Sequence, residues 1–169
     1  MAVDQNQLSR YITLNEGYRP KRYYDSKGIP TVGVGFNLER PGAREAIRSV
    51  GADYDLVRSG KESLSESQVR ELLAADSKAA VNSARTLFPD FDKYDPARQT
   101  VLADLAFNLG EARLSKFESF IDAVKANQWD QAAQDLRNSK WYSEVGKRAV
   151  RNVEAVRTGL PPSSMASKL

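Results

Sequence analysis

The segment from Leu14 to Gly35 constrains the fold more than any other, because it ends a helix and closes a hairpin with only a few residues between them. Upstream, Leu8, Tyr11, Ile12 and Asn15 recur at helical spacing from Asp4 to Asn15, and Gly17 stands where a left-handed C-terminal cap is needed. Glu16 therefore leaves the last helical turn. Downstream, Tyr23-Tyr24, the tetrad Asp25-Ser26-Lys27-Gly28 and the run from Thr31 to Phe36 read as two short strands joined by a hairpin. Gly33 and Gly35 are expected on one face of the second strand, a spacing that marks close approach of another backbone or a ligand.

The rest of the chain has helical periodicity. A short helix is expected through Ala43 to Val50, followed by a polar loop. Ser65-Glu66-Ser67-Gln68 has the form of a capping box, and Val69, Leu72, Leu73, Ala80 and Val81 continue the period to Leu87, before the stop signal Pro89. Asp95-Pro96 opens another helix with an N-cap aspartate and a first-turn proline, closing near Gly110. Ser115-Lys116-Phe117-Glu118 reads as a second capping box, for a helix to about Asn127. Further helices are expected around Trp129 to Arg137 and Lys147 to Arg157, with Gly159 and Pro161 as terminators. Phe107, Phe117, Phe120, Trp129 and Trp141 fall at helical spacings and read mostly as core.

The expected fold class is α+β, mainly α: a small N-terminal lobe with a short antiparallel sheet and a helical C-terminal lobe, joined by a long helix. As domains this gives one unit over 1–160, with lobe one at about 13–64, the connecting helix at 65–87, and a helical lobe at 88–160 that includes the N-terminal helix. Residues 161–169 read as a frayed tail, whose final Ser167-Lys168-Leu169 matches a peroxisomal address only by a short pattern.

Composition removes whole chemistries. With no cysteine and no histidine among 169 residues, disulfides, thiolate nucleophiles, Ser-His-Asp relays and zincin helices are excluded. Carboxylates, lysine and tyrosine remain for proton transfer. No apolar run reaches the roughly 20 residues of a spanning helix, so stable membrane insertion is not expected. Met1-Ala2-Val3-Asp4-Gln5 lacks the pattern of a secretion signal. A net charge of +3 favours encounter with polyanions, yet the basic residues are dispersed and no nucleic-acid motif accompanies them, so no nucleic-acid partner is expected.

Glu16 and Asp25 are the candidate pair. Two carboxylates held near each other in different environments can divide acid and base work, which is the equipment of a glycosidase. Taken singly, each has a plainer role: Glu16 as an exposed helix end, Asp25 as a turn former, Thr31 as a β-branched strand residue. Lys147 and Arg148 read equally as a solvated helix face, and Asn108 as a helix cap.

Taken together, Glu16-Gly17, Tyr24-Asp25 with Gly28 and Thr31, and Gly33-Val34-Gly35 resemble the active-site region of the phage-type lysozymes, glycoside hydrolase family 24. The likeness continues through Ala106 to Glu111, Gln128 to Ala133, Trp141-Tyr142, Lys147-Arg148-Ala149 and Arg157-Thr158-Gly159, and so covers nearly the whole chain. The resemblance implies a muramidase that cuts the β-1,4 bond between N-acetylmuramic acid and N-acetylglucosamine in bacterial peptidoglycan. Glu16 would be the general acid, Asp25 the opposite carboxylate, and Thr31 a hydroxyl positioning water. It further implies substrate contacts at Asn37, Phe107 and Asn108, and Arg148 as partner of the acid. Inversion at the anomeric centre is implied too, which requires carboxylates about 6.5 to 9.5 Å apart.

No metal or organic cofactor is implied, and a monomer is expected. Substrate would lie between the lobes, with closure about the long helix as the gate. An endolysin would gather in the cytoplasm of the producing bacterial host until release and then act on the wall. Other readings are a non-hydrolytic peptidoglycan-binding module, the killing domain of a bacteriocin or toxin, and a lytic transglycosylase. Departures from the family are visible as well. Phe36 and Asn37 follow Gly35 where many relatives have histidine, which leaves Asp76, the apparent partner position, without an assigned role; Asn37 and Asp135 also differ from the family prototype.

Overall fold

The structure, a computed structural model, describes residues 3–161. From residue 162 on, the expected tail lies outside them. The chain divides into two compact units: Ile12–Asp76, and the described residues before and after it, 3–11 and 77–161. Mainly helical content with a small antiparallel sheet gives the expected α+β class. Among the described residues no helix is long and apolar enough to cross a membrane.

Helix α1, Gln5–Glu16, starts where Asp4 Oδ1 accepts the N–H groups of Asn6 and Gln7, at 2.9 and 3.1 Å. It ends at Gly17, whose φ of 84° is the left-handed cap expected from sequence. The sheet follows in order β1 (Arg19–Tyr24), β2 (Pro30–Gly33), β3 (Phe36–Asn37), antiparallel throughout. Every residue of β2 is buried, so this central strand is covered on both faces.

One expectation is corrected here. The run from Thr31 to Phe36 is not one strand: it turns at Val34-Gly35 into β3, with Gly33 at the end of β2 and Gly35 in the turn at φ of 69° and 67°. Gly33 and Gly35 supply positive φ cheaply just before the turn and within it, which the alternating pattern conceals.

Helix α2 (Ala43–Ser49) matches expectation. The supposed polar loop after it contains α3 (Tyr54–Arg58), capped by Asp53, which accepts from Leu56 N–H. The capping box opening α4 (Glu66–Leu87) is formed in both directions: Ser65 N–H donates to Gln68 Oε1 at 2.8 Å, and Gln68 N–H to Ser65 Oγ at 3.1 Å. Gln68 Nε2 also donates to Val50 O, tying α4 to the loop after α2. Val32, Phe36, Leu38, Ile47, Val57, Leu64 and Val69 are buried in this unit.

In the second unit, α5 (Pro96–Leu109) is capped by Asp95, which accepts from Arg98 N–H at 3.0 Å, and every residue from Gln99 to Ala106 is buried. A helix covered on all sides is the centre of its layer. Then come α6 (Glu111–Leu114), α7 (Glu118–Lys125), α8 (Trp129–Arg137), α9 (Lys140–Val145) and α10 (Lys147–Thr158), with α10 packed on α8 and α5, and α7 on α8. The second capping box is not made: α7 has no side-chain cap, and Ser115 Oγ donates instead to Ala112 O. Ser115 belongs to the end of α6, where a hydroxyl bonds back to a carbonyl one turn earlier.

Candidate active site

Glu16, Asp25 and Thr31 all lie in the unit Ile12–Asp76, arranged by α1 and the hairpin that follows it. Glu16 is the last residue of α1, half-buried, and its carboxylate rests against the backbone of Gly35. A Cβ built on Gly35 would stand 2.8 Å from Glu16 Oε2 and 3.0 Å from its Cδ. The glycine spacing read from sequence as close approach of a backbone or ligand is the seat of this side chain. Gly35→Ala is therefore expected to lower turnover on purified peptidoglycan by about 10- to 100-fold by displacing Glu16, and to cost about 1–2 kcal/mol through its φ. Gly42, at φ 79° with nothing within 4 Å of a built Cβ, supplies the comparison: Gly42→Ala should carry the conformational cost alone and keep activity.

Asp25 keeps its plainer role and has capacity to spare. Its Oδ1 accepts Lys27 N–H at 2.8 Å and Ile29 N–H at 2.9 Å, while backbone bonds from Asp25 N–H to Ile29 O and from Gly28 N–H to Asp25 O close the loop. Oδ2 has no hydrogen bond among the described residues, so this carboxylate is oriented through one oxygen and open at the other. Thr31 is buried on β2 with its hydroxyl donating to Ile29 O at 2.9 Å, which leaves the oxygen able to accept. Thr31 and Tyr23 face each other in the β1–β2 register, so they share a face of the sheet. Burial and then the nearby Glu16 push the Tyr23 phenol above its ordinary pKa; Arg19 works against this and Asp25 with it. The phenol thus stays protonated at neutral pH.

Asp76 has a partner that sequence reasoning missed. Arg40 grips it with both guanidinium nitrogens, at 3.0 and 2.8 Å, and lies 3.9 Å over the ring of Phe36. A cation reaching in from Arg40, with Phe36 as its platform, thus gives Asp76 its counter-charge. The signal was an arginine four residues beyond Phe36. Arg40→Ala should lower unfolding free energy by about 1–2 kcal/mol in urea melts, since a forked, partly buried pair and a cation–π contact are lost together. The loss should be the same from pH 6 to 9, because a guanidinium does not titrate there.

Asn37, at the end of β3, accepts Glu39 N–H on its side-chain oxygen at 2.7 Å. The remaining expected positions lie in the other unit. Phe107 is half-buried near the end of α5. Asn108 Oδ1 accepts the indole N–H of Trp141 at 2.7 Å, so it is committed to fixing that ring, while Gly110 caps the helix. Arg148, on α10, is buried and forked onto Asp104 of α5 at 2.9 and 2.7 Å. Asn152 donates to the same carboxylate at 3.0 Å, and the Tyr11 hydroxyl donates to Asn152. No sequence pattern announces this network, because Asp104 lies inside an otherwise apolar stretch of α5.

The family profile described as phage lysozyme matches residues 13–157 of the chain. Among curated proteins, it is 28% identical over 160 residues to "Probable T4-type lysozyme 2" of Dictyostelium discoideum, covering 90% of this chain and 94% of that protein. It is 25% identical to the pre-baseplate central spike protein Gp5 of Enterobacteria phage T4 over 90% of this chain and 28% of that protein. It is also 28% identical to the peptidoglycan hydrolase gp36 of Pseudomonas phage phiKMV over 79% of this chain and 13% of that protein.

Proposed function

The chain belongs to the phage lysozyme family, and from that premise we propose that it hydrolyses the β-1,4 bond between N-acetylmuramic acid and N-acetylglucosamine in bacterial peptidoglycan. The family is described as phage lysozyme, and two of the relatives are named as a probable lysozyme and a peptidoglycan hydrolase, which supports this reading. The observation that carries the finer reading is the pairing of a glutamate seated on the glycine turn with an aspartate one hairpin away whose second oxygen is uncommitted.

In this reading Glu16 gives its proton to the departing glycosidic oxygen as the bond to the anomeric carbon breaks. Water forms the new bond from the other side of the ring and loses a proton to Asp25 Oδ2. Thr31 Oγ1, its own hydrogen spent on Ile29 O, accepts a hydrogen from that water and aims it. Each cleavage consumes one water and creates one reducing end. Purified walls incubated with the protein should therefore release reducing sugars, with the anomer formed first read by proton NMR as inverted. Anhydro-sugar products would replace this reading with a lytic transglycosylase, and wall binding without any product would replace it with a binding module.

A further inference from the structure

The unit that carries Glu16 and Asp25 contains arginines stacked on aromatic rings, and they differ in what their donor edges do. Arg22 lies 4.5 Å from the Tyr24 ring and spends Nη2 on Ser59 O; Arg40 is forked onto Asp76; Arg44, over Tyr54, is forked onto Asp55. Arg19 lies 4.5 Å over the Tyr23 ring, and among the described residues it has no hydrogen-bond or ion-pair partner. Stacking uses the flat face of a guanidinium and leaves its N–H edges to bind a planar anion side-on.

Position gives this fork a purpose. Tyr23 is in register with Thr31 and two residues from Asp25, and its phenol senses the charges of Glu16 and Asp25. Neither carboxylate forms an ion pair with Arg19 among the described residues, so the cation stands beside the candidate site without neutralising it. Peptidoglycan differs from uncharged amino-sugar polymers in the carboxylates of its lactyl-linked peptides. We propose that Arg19, held over the Tyr23 ring, binds a carboxylate of the substrate next to the bond that is cut, so that the site selects peptide-bearing glycan strands. The inference rests on the reading of this protein as a peptidoglycan hydrolase.

The test is co-sedimentation with insoluble peptidoglycan, native or with its free carboxylates converted to amides by carbodiimide and ammonia. A Glu16→Gln background keeps the wall intact. Arg19→Ala should weaken binding to native wall by about 3- to 10-fold, the range for a charge-assisted bond at a solvent-exposed position. Amidation should weaken the parent by a similar factor and the Arg19→Ala protein by less than about 2-fold. Lys21→Ala, an exposed cation on the same strand, should bind as the parent does, and so should Tyr23→Phe, which keeps the ring. Unchanged binding by Arg19→Ala, or an equal loss on amidation with and without Arg19, overturns the proposal. Arg19 is exposed, so its variant folds independently of this contact and decides the matter alone. A failure of the catalytic reading would appear elsewhere, as no reducing ends from the protein with Glu16 intact.

Discussion

Replacing Glu16 by glutamine should reduce kcat on purified peptidoglycan by about 10²- to 10⁴-fold, equivalent to about 3–5.5 kcal/mol of transition-state stabilisation, while KM stays within about 2-fold. Glutamine fills the same space against Gly35, so the seat survives and only the transferable proton is lost. A loss of kcat and kcat/KM by the same factor marks an interaction made only in the transition state. Asp25→Asn provides the companion measurement. Asparagine retains an oxygen to accept the Lys27 and Ile29 N–H groups, so the hairpin persists while the capacity to take a proton from water disappears. The double variant should lose little beyond the more damaging single one, as expected of groups that act as a unit. Activity of either amide variant above about a tenth of the parent would remove that residue from the mechanism.

The largest effect on stability is expected at Asp104. Substitution by asparagine removes the buried carboxylate onto which the Arg148 guanidinium is forked, and breaking one side of such a pair costs about 3–5 kcal/mol. For a chain of this size that is a fall in Tm of about 6 to 20 °C, readable by calorimetry. The double variant Asp104→Leu with Arg148→Met should recover much of the loss, because two apolar side chains in a buried site avoid the desolvation that both charges carry. Absence of recovery would show that Asn152 and Tyr11, which complete the network, depend on the charges for their own arrangement.

Legibility in the sequence followed how local the determining interaction is. The α1 cap at Gly17, the reciprocal Ser65–Gln68 box and the Asp95-Pro96 start were readable because each is settled within four residues. The Ser115 box has the same pattern but fails, since the hydroxyl is already bonded to Ala112 O behind it. The run from Thr31 to Phe36 reads as one strand because alternating apolar and glycine residues suit a strand and a turn that contains glycine alike. Helices α3, α6 and α9, at five, four and six residues, are too short to show a period.

At the candidate site, Glu16, Asp25 and Thr31 stood out through spacing and family likeness. What they rest on was hidden. The contact of Gly35 with Glu16, the grip of Arg40 on Asp76 and the burial of Asp104 beneath Arg148 join residues 19 to 44 positions apart, and no local pattern announces such meetings.

The loop from Asp25 to Ile29 has a consequence for how such a chain can diverge. The amide hydrogens of Asp25 and Gly28 close its backbone and those of Lys27 and Ile29 aim the Asp25 carboxylate, so one residue inserted or deleted between Asp25 and Ile29 would turn that carboxylate elsewhere even if the strands re-paired. Descendants of this chain are free to vary Ser26, whose side chain takes no part in that closure, but not the length around it.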